Sequence, residues 1–333
     1  MKKMDIIKTN IKHSLNIEKY FPKENTCFLD IETTGLNRYK DIIYLIGILY
    51  FNPRENSWVL DQYFANNLNE EKEVLKELSS NITNFDKIIT YNGDYFDLPF
   101  IKQRLKHYKL NYQFPTISSF DLYQYIKKYR FLFDLPNLKL KTIERELGFI
   151  REDKYSGLDC IDFYYDYIKS KNPMLKENIL RHNHDDLAHM LDIISIIDLI
   201  DDKKSIYIDF GKGSKKFSIE KIQFFQDLLK IEGTINPPLE NNIKYYDKNF
   251  NLLTEDKGIF SLSLEYELGL ITRVEKCRYI DLRNFDSLKN LKNNKSYNLP
   301  PNIFVLSIEN KHCIGNIKNL LHEILMLLTK SPN

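Results

Sequence analysis

Two carboxylates placed two residues apart in an apolar run constrain this chain more than any other feature. The run is Cys27-Phe28-Leu29-Asp30-Ile31-Glu32, and Thr33-Thr34-Gly35-Leu36 follows it. Read as a strand, it alternates faces. Phe28, Asp30 and Glu32 then share one face, while Leu29 and Ile31 share the other. Carboxylates side by side repel unless a cation lies between them, and hard oxygen ligands at this spacing suit Mg²⁺ or Mn²⁺. The competing reading is an exposed strand edge with solvated acids, because Asp-x-Glu is a short pattern.

What surrounds the run predicts an α/β layered domain. Ile42–Phe51 is a nearly continuous apolar stretch containing Gly47, as expected of a strand buried on both faces. Asn52-Pro53-Arg54-Glu55-Asn56 reads as a hairpin turn into a third strand at Ser57–Phe64. Asn69–Asn81 has helix chemistry, with Asn69 as cap, early glutamates and a Val74/Leu75/Leu78 stripe. Lys87–Tyr91 is a strand, and Asn92-Gly93 turns the chain toward Asp97-Leu98-Pro99-Phe100, where proline suits a first helical turn. Helices are expected over 138–148, Cys160–Lys169 and about Pro173–Ile200.

At 333 residues the length prior is about two domains, and 43% hydrophobic residues suffice for a sizeable core. Residues 1–24 carry six lysines against three acids and read as a solvated arm or short helix. A charged break at Asp201–Ser205 marks a boundary, which divides the chain into an arm (1–24), a main domain (25–203) and a C-terminal module (204–333). In that module, strand-like runs at Ile206–Phe210, Gly258–Leu264, Ile271–Ile280 and Ile303–Ile308 accompany helices expected at Ile219–Ile231 and Asn316–Thr329, a smaller α+β unit with no assigned chemistry.

Several classes are disfavoured. A net charge of +2 advertises no global polyanion binder, so any basic surface must be local. The four cysteines are scattered without a C-x-x-C pair, which argues against zinc and against a disulfide framework and fits a reducing cytoplasm. The N-terminal lysines precede no apolar h-region, and no run is long enough to span a bilayer, so neither a leader nor a membrane segment is expected. Locally, residues 98–143 hold nine Lys/Arg against Asp121 and Asp134. Tyr108, Tyr112, Phe114, Tyr123, Tyr125, Tyr129 and Phe131 are interleaved with them. Cations for phosphates and rings for bases are what single strands require. The alternative is core aromatics with solubilising lysines.

The late helix separates two adjacent acids. Its apolar stripe runs Ile179, His182/Asn183, Asp186, Met190, Ile193, Ile197, so Asp186 faces the core, whereas Asp185 falls about 100° away with His189 and Asp192. An acid on such a stripe is costly unless paired or metal-bound. Asp30, Glu32, Asp97 and Asp186 thus supply four carboxylates from three elements, enough to hold two divalent ions that clamp a phosphodiester. His182, one turn before Asp186, is placed to take a proton from water; otherwise it is a core histidine bonded to a carbonyl.

These residues resemble a known pattern. Phe28 to Leu36 resembles the first motif of the DEDD exonucleases of the ribonuclease H-like superfamily. Thr90-Tyr91-Asn92-Gly93-Asp94-Tyr95-Phe96-Asp97-Leu98-Pro99-Phe100 resembles their second, in the N-x-x-x-F-D-x-P form also found in family B polymerase proofreading domains. His182-Asn183-His184-Asp185-Asp186-Leu187 resembles the third, and the T-Y-N-G…F-D-x-P and H-N-x-x-D forms are similar to the YprB-like ribonuclease H-like group of bacterial proteins. The resemblance covers about residues 25–200. It implies a ribonuclease H-like mixed sheet flanked by helices. It also implies metal ligands Asp30, Glu32, Asp97 and Asp186, with Asp94 a weaker choice, two Mg²⁺ or Mn²⁺ ions, and 3′→5′ exonuclease activity on single-stranded DNA or RNA ends. His182 stands where tyrosine-type members have Tyr, a departure from the longer offset of the histidine type. Asn92 would order the second motif's turn, and Asp121 would be structural. Thr33, Asn92, Lys102 and Arg104 are the candidate substrate contacts. The rival readings are a catalytically inactive nucleic-acid-binding module of the same fold and an aspartyl-type phosphatase, although Glu32 replaces the second Asp that the latter needs.

Overall fold

The computed structural model describes residues 4–22, 24–111, 117–149, 155–211 and 213–330. They form two compact units, residues 1–127 with 136–196, and residues 128–135 with 197–333.

The first unit is built on strands β1 (Asp5–Ile11), β2 (Thr26–Thr33), β3 (Ile43–Asn52), β4 (Ser57–Phe64), β5 (Lys87–Thr90) and β6 (Ser118–Asp121). Their spatial order is β1-β4-β3-β2-β5-β6. The β1/β4, β4/β3 and β3/β2 pairs are antiparallel, and β2/β5 and β5/β6 are parallel, so the sheet is mixed. Its helices are α1 (Glu71–Asn81), α2 (Asp97–His107), α3 (Leu122–Lys128), α4 (Leu140–Glu146), α5 (Gly157–Ser170) and α6 (Pro173–Ile193). This is the expected α/β class of mixed sheet with flanking helices.

The alternation expected of β2 positions the site. Leu29 and Ile31 point into a core shared with Val74, Leu75, Leu78, Phe100 and Ile101. Asp30 and Glu32 point to the opposite face, where Asp30 lies across from Gly47 of β3. A Cβ at Gly47 would come within 2.4 Å of Asn183 Oδ1 and Leu187 Cδ1. Glycine in this apolar run therefore lets α6 lie directly on the sheet.

Four elements differ from the expectations. The arm at 1–24 contributes a strand, β1, because its alternating residues pair along the open edge of β4; Lys2, Lys3 and Lys23 lie outside the described residues. The turn before α1 is capped by Asn67, whose Oδ1 accepts from Asn69 N–H, rather than by Asn69. The late helix breaks at Ile194–Ser195, where Ser195 Oγ donates to the Asp192 carbonyl, and α7 (Ile196–Lys204) follows. Residues 219–231 are two strands, not a helix.

The second unit shows why. After α7 it contains β7 (Ser205–Asp209), β8 (Ser214–Phe225), β9 (Leu228–Asn236), β10 (Lys244–Tyr246), β11 (Phe250–Glu255) and β12 (Ile259–Glu265), in the order β10-β11-β12-β9-β8-β7. Gln226, at φ +55, turns β8 into β9. Leu229, Ile231 and Ile235 are buried on one face of β9. Spread across the turn, these apolar residues imitate a helical stripe; paired, they have period two. A second sheet holds β13 (Glu267–Leu270), β14 (Lys276–Asp281), β15 (Ile303–Ile308) and β16 (Lys311–His312), and α8 (Ile314–Lys330) shares its core through Ile317, Leu320, Leu321, Ile324 and Leu325.

The basic stretch 98–143 is divided between the two units. Residues 128–135 belong to the second unit, where Lys128 and Lys204 both donate to Glu220 and Tyr129 OH donates to the same carboxylate. Tyr108 OH donates to Glu71. Tyr123 packs on Tyr91 and Tyr125 on Phe120. Tyr112 and Phe114 lie outside the described residues. These described rings serve packing, the alternative allowed by the sequence.

Arg104 is a further correction. Its side chain is 5% exposed, and its Nε and Nη2 donate to the two oxygens of buried Glu71 at 2.7 and 2.5 Å. Glu71 also accepts the Ile43 N–H, so it ties α1, α2 and the start of β3 together. Committed there, the guanidinium is not a substrate contact. Breaking a buried pair leaves an uncompensated charge, at about 3–5 kcal/mol. Arg104→Ala should therefore cost that much in urea unfolding, while Lys102→Ala on the exposed face of the same helix should stay within about 0.5 kcal/mol. Equal losses would contradict this assignment.

Both units lack a membrane-crossing element of the helical kind: among the described residues, no helix is long and apolar enough to span a bilayer. The four cysteines are not joined in disulfides.

Candidate active site

Four acids from β2, α2 and α6 face one another at the end of the sheet. Glu32 and Asp97 are buried and Asp30 is half-buried. Asp97, the first residue of α2, accepts the Ile31 N–H at Oδ1 (3.1 Å), which fixes the second motif to the first strand. Asp186 is on the α6 face turned toward β2, and His182 Nε2 stands 3.7 Å from both Glu32 Oε1 and Asp186 Oδ2. The imidazole Nδ1 is buried with no hydrogen-bond partner among the described residues.

The electrostatics record this gathering. Burial, then the neighbouring Asp97 and Asp186, push Asp30 well above the usual carboxylate range, against the opposing hydrogen bond from Asn183. Glu32 is raised by burial and then by Asp30, Asp186 and Asp97. Asp97 is driven by burial to about 7, although the Ile31 N–H favours its charged form. Buried like charges are a cost that folding carries for another purpose. Asp185 behaves differently. Burial acts to raise it, but its bond with His184 and the nearby Arg181 and His189 leave it below the usual range. The two adjacent acids therefore occupy different environments, as the helical stripe predicts.

The second motif is shaped by its own backbone. Asn92 adopts φ +67, a left-handed conformation that asparagine tolerates. A Cβ at Gly93 would strike the Thr90 side chain at 2.4 Å. Asp121 accepts the N–H groups of Asn92 (2.8 Å) and Asp94 (3.1 Å), and those of Tyr123 and Gln124 at the start of α3. It therefore holds the turn and caps a helix, a structural role. The Asp94 carboxylate accepts from Ser119 Oγ at 2.5 Å, and Asp94 itself is exposed. Thr33 Oγ1 donates to the Gly35 carbonyl at 2.7 Å, which tightens the turn after β2. Lys102 lies on the exposed side of α2.

Three residues that position the acids carried no assigned role in the sequence. Asn183 is fully buried; its Nδ2 donates to Asp30 Oδ2 at 2.8 Å, and its Oδ1 accepts from Gln62 Nε2 at 2.8 Å. Gln62 also donates to the Leu180 carbonyl. Gly47 makes room for Asn183. The available signals were a buried-stripe amide and a glycine inside an apolar strand.

The donor set fits hard divalent cations: four carboxyl groups, buried or half-buried, that disfavour one another's charge until a cation offsets it. Among the described residues, no three His, Cys, Asp or Glu side chains converge on one point at ligating spacing. Joint ligation therefore requires rotation of carboxylates that now bond to Asn183 and to the Ile31 N–H. Replacing Asp30 by Asn removes one charge and keeps an acceptor for Asn183. In chelator-treated buffer, Asp30→Asn should raise Tm, by about 2–4 °C for each kcal/mol of relieved repulsion. An unchanged or lowered Tm would show that the acids do not repel one another.

Comparisons place the chain. Residues 27–197 match the family model described as the RNase_H superfamily. An uncharacterized protein of Bacillus subtilis, YprB, is 27% identical over 208 residues, which cover 61% of this chain and 46% of that protein. The chain thus spans about half the length of this relative. Among solved structures, similarity extends to the family B DNA polymerase of Pyrobaculum calidifontis (TM-score 0.43, 14% identity, 54% of this chain, 25% of the polymerase). It extends also to Escherichia coli exonuclease I in its zinc-bound single-stranded DNA complex (TM-score 0.33, 12% identity, 62% of this chain, 54% of the enzyme). With the model match spanning half of its length and all three motifs, the chain belongs to the ribonuclease H superfamily, as a YprB-like member.

Proposed function

We propose that the protein is a divalent-metal-dependent nuclease that hydrolyses phosphodiester bonds, acting as a 3′→5′ exonuclease on single-stranded ends. The grouping of Asp30, Glu32, Asp97 and Asp186, from three separate elements, within electrostatic reach of one another carries this reading. A fold stabilised only for its own sake would not bring four acids, two of them buried, into one another's field. The activity is assigned to the first unit, residues 1–127 with 136–196, whose sheet includes β1 of the N-terminal arm expected to be a flanking segment.

In this reading the four carboxylates hold two Mg²⁺ or Mn²⁺ ions, which supply charge stabilisation for attacking and leaving oxygens. His182 orients the attacking water and takes its proton; its Nε2 already faces the acids. Asn183 and Gln62 set the direction of Asp30. Thr33 and Asn92 shape the turns on either side of the reacting phosphate. Nucleic acid is the partner in this scheme, and a reducing cytoplasm suits its thiols.

The decisive experiment incubates the protein with 5′-labelled single-stranded DNA and RNA, with and without Mn²⁺ or Mg²⁺. Metal-dependent shortening from the 3′ end, lost in Asp30→Ala, is expected. Retained binding with no hydrolysis in any metal would instead favour the inactive module. His182→Ala should slow turnover by about 10²–10⁴, while Asn183→Ala should weaken metal binding through Asp30. Ligation also predicts a metal-induced rise in Tm by linkage. Asp186→Asn should abolish that rise and Asp185→Asn should leave it; equal loss in both would sink the assignment of Asp186 as a ligand.

A further inference from the structure

Along α2, the helix that begins with Asp97, runs a cleft of about 490 Å³, lined by Arg38, Tyr39, Asp94, Leu98, Pro99, Lys102, Gln103 and Lys106. One wall is the β2–β3 turn, which Asn37 N–H braces by donating to Asp41 Oδ2 at 2.7 Å. The other wall is α2. Pro99, Lys102, Gln103 and Lys106 recur at helical spacing on one side of it, while Phe100, Ile101, Arg104 and Leu105 are buried on the other. Lys102 and Lys106 lie about one turn apart on the helix that begins with Asp97. Tyr39 is 70% exposed, so its ring face is accessible.

We propose that this cleft is the path of the single-stranded substrate leading to the acids. This inference rests on the nuclease reading and adds the route to it. Arg38, Lys102 and Lys106 meet successive phosphates, and Tyr39 offers its face to a base. Asp94, whose carboxylate accepts from Ser119, is the acidic member of the lining and excludes phosphate from its end. Three cations and a stacking ring select a flexible polyanion with bases, either DNA or RNA. The route replaces the wider basic stretch 98–143: two lysines of α2 are kept, and two residues from the β2–β3 turn are added.

The test uses the full chain carrying Asp30→Asn, in chelator, with fluorescent dT20 and rU20 followed by anisotropy from 50 to 300 mM KCl. In the combined Arg38→Ala, Lys102→Ala, Lys106→Ala background, affinity at 50 mM should fall about tenfold or more. The slope of log K against log salt should become shallower by about 2, from about 0.7 per lost phosphate contact. Tyr39→Ala should weaken binding about fivefold or more with the slope unchanged. A Tm equal to that of the parent confirms folding. Binding by the parent with an unchanged slope in the triple variant overturns the route and leaves the nuclease reading standing. Absence of binding by the parent, together with absence of hydrolysis by the unmodified chain, overturns both. A stronger response to rU20 than to dT20, or the reverse, identifies the sugar that the path prefers.

Discussion

Mutual repulsion among four neighbouring carboxylates, two buried and two half-buried, is the constraint around which the first unit is arranged. Nothing in water forces such groups together, so each must be held by something stronger than the repulsion. Asp30 and Glu32 are held because their strand buries Leu29 and Ile31 on its other face. Asp97 is held by the Ile31 N–H and by its place at the start of α2. Asp186 is held because α6 packs on β2 and β3, with Asn183 and Leu187 against Gly47 and Asn183 bonded to Asp30. The apolar layers on both sides of the sheet supply the free energy, at about 25 cal/mol for each Å² of apolar surface removed from water.

A chain of small contacts transmits that packing to the site. Gly47 lets the helix approach; Asn183 fills the space and bonds Asp30; Gln62, one strand further out, bonds Asn183. Asn183 spends both donor and acceptor, and Gln62 donates both to it and to the Leu180 carbonyl, which fixes the orientation of the chain of amides. On the opposite side, Glu71 and Arg104 lock α1 to α2 and to the first residue of β3. Asp121 does the same for the Asn92 turn. Buried polar residues of this unit therefore fall into two sets: those whose charges are paired and stabilise the frame, and those left facing like charges.

How much of this was legible depends on the range of the physics involved. The face shared by Asp30 and Glu32 follows from strand alternation, and the separation of Asp186 from Asp185 follows from helical pitch. Both are local rules, and the structure obeys them. Arg104 was misjudged as a substrate contact because its partner, Glu71, is thirty-three positions away and nothing nearby marks the pair. Residues 219–231 were misjudged as a helix because apolar residues on both sides of a tight turn imitate a 3.6-residue stripe; Gln226 and the pairing of β9 with β12 decide otherwise. The N-terminal arm became a strand for a similar reason, since an edge partner 59 to 47 positions away in β4 cannot be read from the arm itself.

What the sequence by itself determined is the chemistry on offer: an acidic strand, a second acidic turn, an acid on a helical stripe, and their order along the chain. These follow from residue type and from periods of two and 3.6. What only the tertiary structure decided is their assembly. It brought the acids within electrostatic reach, placed His182 between Glu32 and Asp186, withdrew Arg104 into the core, and opened a cleft between α2 and the turn after β2. Such choices depend on which surfaces meet across long stretches of chain, and that is settled by packing shape and charge compensation in three dimensions rather than by any neighbourhood in sequence.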